Sequence, residues 1–200
     1  MPRSNGFTLI ELMIVLAVMA ILYSLAAPMM VRWMGDARIR VAAETMQTGI
    51  LLARTEAIRR NVPVRFQLMS SLDNDCAPSN VATHWVVSLD DASTKCATAP
   101  SATADPRIVQ IKSGQEGGSR VTIAATRAGG VPATTIIYNG TGRLSGATSI
   151  DTIDIGSPDG EGCQHLGGDA RCLRIRILPG GDSRMCDPKV ADVNDVRRCP

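Results

Sequence analysis

Residues Gly6-Phe7-Thr8-Leu9-Ile10-Glu11 run directly into Leu12-Met13-Ile14-Val15-Leu16-Ala17-Val18-Met19-Ala20-Ile21-Leu22-Tyr23-Ser24-Leu25-Ala26-Ala27, and this stretch decides how the rest of the chain is read. From Phe7 to Val31, a span of 25 residues, Glu11 is the only charged side chain. As a helix rising ~1.5 Å per residue, such a segment is about 37 Å long, enough to cross a hydrocarbon core about 30 Å thick with some tilt. A carboxylate at bilayer depth costs roughly 2.5–3.5 kcal/mol on insertion scales, so a glutamate held there marks a functional constraint. Two plainer readings compete. A secretory signal peptide would use Arg3 as its basic region, Leu12–Leu25 as its apolar region and Ser24-Leu25-Ala26 as its cleavage site. A glutamate abutting the apolar region fits that poorly, as does the helical pattern that continues beyond it. A plain signal-anchor helix is the other.

The Gly-Phe-Thr-Leu-Ile-Glu string resembles the N-terminus of the type IV prepilins and pseudopilins. The resemblance implies that residues 1–6 are a leader and that prepilin peptidase cuts between Gly6 and Phe7, then methylates the new amino group of Phe7. It also implies that Glu11 pairs with the N-terminal ammonium of a neighbouring subunit in a filament. The physics agrees, because a carboxylate in low dielectric needs a cationic partner. Pro28 matches a proline common in pilin helices, where a missing backbone donor kinks or locally melts the helix.

Helical periodicity continues past Pro28. Ile39, Ala42, Met46, Ile50, Ala53 and Ala57 step by three or four and form one apolar stripe, with Arg38, Arg40, Glu44, Gln47, Arg54, Arg59 and Arg60 largely off it. Gly35-Asp36 is a candidate weak point, and Asn61 with Pro63 ends the helix. The expectation is one helix from Phe7 to Arg60, apolar all round over residues 7–31 and amphipathic over 32–61. Its end, Ala53-Arg54-Thr55-Glu56-Ala57-Ile58-Arg59-Arg60-Asn61, resembles that of the FimT/FimU-type minor pilins and the GspH-type pseudopilins.

Beyond Pro63 the pattern changes to short runs rich in Val, Ile and Thr between turn residues: Val62–Met69, His84–Leu89, Arg107–Lys112, Arg120–Ala124, Thr134–Tyr138, Ile150–Ile155 and Cys172–Leu178. Asn139-Gly140-Thr141-Gly142 and Pro179-Gly180-Gly181-Asp182 are turn signals, while Ser70–Asn80 and Asp91–Asp105 read as surface loops. The fold class is therefore α+β: a long N-terminal helix, membrane-spanning in its first half, packed on an antiparallel β-sandwich at residues 62–200. The pilin resemblance implies the same shape.

Cys76, Cys96, Cys163, Cys172, Cys186 and Cys199 all follow the apolar segment, which favours a disulfide-forming compartment such as the periplasm. Six cysteines allow 15 connectivities, and spacing does not choose among them. Nearest-neighbour pairing is the expectation, with Cys76–Cys96 stapling the loops that flank His84–Leu89. Cys186–Cys199 would tie down a C-terminus without strand character. A zinc site from Cys163, His165, Cys172 and Cys186 is disfavoured by the lack of a C-x-x-C pair. Calcium at Asp187, Asp192 and Asp195 is disfavoured by the lack of EF-hand spacing. No metal or cofactor is expected.

No G-x-S-x-G elbow, P-loop or H-E-x-x-H is present, and His84, one of two histidines, reads as a strand-edge residue. A structural, non-enzymatic role follows. Net charge is only +2, yet most of the 21 basic residues are arginines, several of them near the C-terminus. Some FimT-type pilins linked to DNA uptake carry a Gly-Arg-x-Arg element. Here Gly142-Arg143-Leu144-Ser145 has the first arginine and lacks the second. Arg143, Arg174 and Arg176 are the candidate DNA contacts, against a plainer reading of solvated arginines or salt bridges between subunits.

The function these readings favour is a minor pilin of a type IV pilus that helps initiate assembly and sits at or near the tip. The alternatives are a GspH-type pseudopilin of a type II secretion system and a DNA-binding minor pilin in natural transformation. Expected partners are prepilin peptidase, other minor pilins, the major pilin and inner-membrane lipid before assembly, with DNA the least favoured. The expected location is the inner membrane, single-pass, with the C-terminal domain in the periplasm.

Overall fold

The computed structural model describes residues 8–114, 121–146, 148–157 and 162–199. One helix, α1 (Leu9–Arg60), is followed by nine strands: β1 (Val64–Met69), β2 (His84–Ser88), β3 (Ile108–Lys112), β4 (Thr122–Arg127), β5 (Val131–Pro132), β6 (Thr135–Tyr138), β7 (Thr152–Gly156), β8 (Leu173–Ile177) and β9 (Ser183–Cys186). The chain divides into two compact units, Met1–Gly35 and Asp36–Pro200.

The first unit is helical over its described residues beyond Thr8. Its apolar stretch Leu9–Ala26 is long and apolar enough to cross a membrane. Leu12, Ile14, Leu16, Ile21, Leu25 and their neighbours are all exposed, an uncovered apolar surface far larger than soluble monomers carry. Helical assignment continues without a break through position 28 and through Gly35-Asp36.

The second unit builds a core. Sheet order is β3-β2-β1-β6 in one sheet and β5-β4-β7-β8-β9 in the other, and every pairing is antiparallel. Ile39, Ala43, Met46, Ile50, Ala53 and Ala57 of α1 are buried in one cluster with Val64, Phe66, Leu68, Trp85, Val87, Ile136 and Tyr138 of the first sheet and Ile123, Ile153, Ile155, Ile175 and Ile177 of the second. Period-2 alternation supplies the inward residues of each strand. Burial falls on Ala43 where the sequence pattern marked Ala42, which is only partly buried.

Gly49 explains how close α1 comes to the first sheet. A Cβ there would lie 2.9 Å from both the Phe66 and Trp85 rings. Glycine costs about 1 kcal/mol in a helix interior, and here the absent side chain lets the helix backbone sit against two aromatic rings. At the far end Asn61 takes a left-handed conformation with φ of 54°, and Pro63 follows, so α1 stops where the cap and the proline require.

Two sequence expectations need correction. The sequence pattern misses a strand after β8: Pro179-Gly180-Gly181-Asp182 turns β8 back into β9, which pairs with it in register from Arg174↔Cys186 to Ile177↔Ser183. Four residues centred on an arginine and a methionine fall below any strand pattern legible by eye, and the hairpin supplies what propensity lacks. The loops Ser70–Asn80 and Asp91–Asp105 also do more than cover surface. Cys76, Ala92 and Cys96 are buried with Met69, Val86 and Ile108, a satellite core on the outer face of the first sheet.

Candidate functional site

Glu11 sits at the third position of α1, and Thr8 at its N-cap. The Glu11 carboxylate accepts from the Thr8 backbone N–H and from Thr8 Oγ1, both at 3.0 Å, while Thr8 Oγ1 accepts from the Glu11 N–H at 3.3 Å. This is a reciprocal capping box, in which two helix-end donors that lack intrahelical acceptors satisfy each other's side chains. Thr-Leu-Ile-Glu is itself the S/T-x-x-E capping signature, a signal the membrane reading of Glu11 passes over. Both donors to the carboxylate are neutral, and among the described residues Glu11 has no cation beside it. Gly6, Phe7 and the side chain of Pro28 lie outside the described residues. Deeper in the apolar stretch, Ser24 Oγ donates to the Ile21 carbonyl at 2.8 Å, so its hydroxyl needs no other partner in lipid.

In the second unit α1 carries its charges as local pairs. Arg40 bonds Glu44 at 2.8 Å. Glu56 accepts from Arg59 at 2.7 Å and from Arg60 at 2.6 Å. Those bonds, Arg59's first, hold the Glu56 carboxyl below its ordinary range. Arg54 reaches off the helix, donating to the Gly142 carbonyl at 3.0 Å and to Asp182 at 2.5 Å. It thereby ties the helix to the loop after β6 and to the β8–β9 turn. That turn is tight: a Cβ on Gly181, at φ of 90°, would strike the Gly142 carbonyl oxygen. Beneath it the fully buried Tyr138 hydroxyl has no hydrogen-bond partner, and burial pushes its phenol above its ordinary range.

All six cysteines are bonded, as Cys76–Cys96, Cys163–Cys172 and Cys186–Cys199. The first lies inside the satellite core. There Gln67 donates to Asp91 at 3.0 Å and accepts from the Ala92 N–H, and this with Ser93 brings the Asp91 carboxyl down to about 2. The second closes a loop that contains Gln164, His165 and Leu166. The third fastens the C-terminal segment beside β9, where the Asp187 N–H bonds the Arg197 carbonyl at 2.7 Å. The aspartates of this region serve neighbouring groups. Asp187 accepts from Arg171 and the Lys189 N–H, Asp192 from the Asn194 N–H, and Asp195 from Arg197. His84 opens β2, and its Nδ1 accepts from the Gly114 N–H at 3.2 Å.

The three candidate DNA contacts are not equivalent. Arg174 and Arg176 share the outer face of the second sheet, since Leu173, Ile175 and Ile177 alternate with them toward the core. Arg174 is a bidentate partner of Asp154 at 2.6 and 3.0 Å, and Arg176 donates to Thr152 Oγ1 at 2.9 Å. Arg143 is exposed on the loop after β6, which belongs to the other sheet and meets the β8–β9 turn through Gly142.

A helix with an unpartnered apolar N-terminal half, a carboxylate in its first turn, and a C-terminal half buried in a two-sheet domain defines a pilin-like subunit. The family model described as type II transport protein GspH matches residues 42–181, and that of the prokaryotic N-terminal methylation motif matches residues 1–27. The chain belongs to the GspH family, a minor pilin and pseudopilin family of structural subunits. Its methylation motif implies processing by prepilin peptidase, membrane anchoring and assembly with other pilin-like subunits. Two crystal structures of the type IV minor pilin FimU from Pseudomonas aeruginosa are similar in fold. One, in space group P65, has 12% identity and a TM-score of 0.45 over 77% of this chain and 97% of that one. The other, in space group P21, has 11% identity and a TM-score of 0.44 over 78% and 92%. No curated protein matches the chain.

Proposed function

We propose that this chain is a minor pilin of a type IV pilus that helps initiate assembly and sits at or near the tip. Residues 1–6 are its leader, cut between Gly6 and Phe7, with Phe7 then methylated. Residues 7–31 hold the subunit in the inner membrane before assembly, with the later residues in the periplasm. In the filament, Glu11 leaves its own Thr8 for the N-terminal ammonium of a neighbouring subunit, and Pro28 provides the adjustment in the helix. What supports an exported, assembling subunit is the apolar helix with its methylation motif, followed by an Asp36–Pro200 unit stapled by three disulfides. Bonds of that kind suit a domain beyond the inner membrane, in the periplasm or on the cell surface. The test is the quantity of sheared surface pili in a strain lacking the gene, with a complemented control. Loss restored by complementation is the expected result.

The second reading is a pseudopilin of a type II secretion system, and the description of the matching family itself supports it. Normal pili together with failure to secrete folded proteins in the same strain would establish that reading instead. A third, contact with DNA through Arg143, Arg174 and Arg176, is weakened because Arg174 is already neutralised by Asp154.

A further inference from the structure

Four strands of the second sheet place one residue each in a single row. Thr126 pairs with Thr152, Thr152 with Arg176, and Arg176 with Arg184. Ile175 and Ile177 fill the inner face of β8, so Arg176 and Arg184 stand side by side on the outer one, and Arg184 is exposed. Like charges directly opposite on paired strands repel. Three arginines nearby have a carboxylate: Arg171 has Asp187, Arg174 has Asp154, and Arg197 has Asp195. Arg176 and Arg184 have none among the described residues. Arg176 bonds only the neutral Thr152 hydroxyl, and Arg184 donates to the Val196 carbonyl at 2.6 Å. The Arg176 Nε is moreover buried and without a hydrogen-bond partner. Two guanidinium groups side by side without a carboxylate are a cost that an anion arriving at the exposed Arg184 lowers.

We propose that Arg176 and Arg184 form a seat for one carboxylate side chain of a neighbouring pilin-family subunit. This rests on the reading of the chain as an assembling subunit and names the chemistry of one of its contacts. The patch is too narrow for a nucleic-acid backbone. Asp154 stands on the same face beside Arg174, and the whole chain carries a net charge of only +2. A duplex is held by several phosphate contacts along a groove or stripe. The planar guanidinium fork matches a carboxylate in two parallel bonds, and a partly buried donor makes such a pair stronger and more selective than one on an open surface.

The test uses the full-length chain produced in its own cells and compares its amount in sheared filaments with its amount in membranes. Arg184→Glu is expected to lower that ratio at least tenfold with the membrane level and the three disulfides unchanged, and Arg184→Lys to lower it less. Selection for restored incorporation of the Glu variant is expected to return Asp or Glu changed to Lys or Arg in a partner pilin. If Arg184→Glu lowers the membrane level, Arg184→Gln and Arg176→Gln decide by the same ratio. Incorporation of these variants at the wild-type ratio overturns the proposal alone, whereas absence of the wild-type chain from filaments overturns the assembly reading and this one with it. Detergent-solubilised full chain is also tested for a mobility shift of duplex DNA. A shift lost in Arg184→Glu while incorporation stays normal makes phosphate the ligand and also overturns it.

Discussion

Met1–Gly35 and Asp36–Pro200 resolve the same physical problem in opposite ways. Over its described residues the first leaves Leu9 to Leu25 exposed and builds no core, an apolar surface suited to lipid or to other helices. The second buries its apolar residues internally and is stapled by three disulfides. One unit is completed by partners and the other by itself. For a subunit that leaves a membrane to enter a filament, this division lets the environment of the helix change while the folded domain stays the same.

The comparison breaks first at matched truncations. Ile153→Ala empties a fully buried site and is expected to cost about 3–4 kcal/mol in the unfolding of the second unit. Leu16→Ala, on the exposed helix, is expected to change the same transition by less than about 0.5 kcal/mol. Denaturant titration of the full chain in detergent, followed by Trp85 fluorescence in a Trp33→Phe background, measures both, and equal effects would erase the distinction. Next, loss of the Cys76–Cys96 bond in a double Cys→Ser variant opens a loop of 20 residues, with an expected loss of about 3 kcal/mol. Helical circular dichroism from the first unit should survive reductant that melts the second.

Gly49→Ala sharpens the account of how the helix meets the sheet. Helix propensity alone favours alanine by about 1 kcal/mol. The Phe66 and Trp85 rings at 2.9 Å should reverse that sign, giving a net loss of about 1–2 kcal/mol by thermal unfolding. The smallest effect concerns pH. Asp91, held near 2 first by Gln67 and then by Ser93, is lower in the folded chain than its ordinary value of 3.8. Its contribution is therefore complete above about pH 4 and lost as pH falls toward 2, and after allowance for solvent screening it is worth about 1 kcal/mol. Asp91→Asn should flatten the acid limb of the stability profile. An unchanged limb would remove Asp91 as its source.

The helix was legible because its periodicity is long and its stop is chemical: the apolar stripe ends at Ala57, and Asn61 and Pro63 enforce the boundary. Strands with β-branched alternation, such as Thr152–Gly156, were legible for the same local reason. β9 was not, because Ser183-Arg184-Met185-Cys186 owes its strand to the turn before it and the partner beside it. The cysteines pair as nearest neighbours, as expected, whereas the satellite core under the loops after β1 and β2 depends on contacts between segments distant in sequence. The row of Thr126, Thr152, Arg176 and Arg184 exists only through the register of three strand pairs, so a linear run of arginines could mark the region without separating Arg174, which has its carboxylate, from Arg176, which lacks one.

The central claim is that the segment beginning at Phe7 is made for processing and assembly. Mass spectrometry of the N-terminal peptide of the chain from sheared filaments tests it most directly. A mature N-terminus at Phe7 carrying one methyl group on its nitrogen is the expected result, and its absence in a strain without prepilin peptidase completes it. A chain that begins at Met1, or one cut after Ala26 as a secretory signal peptide would be, contradicts the account.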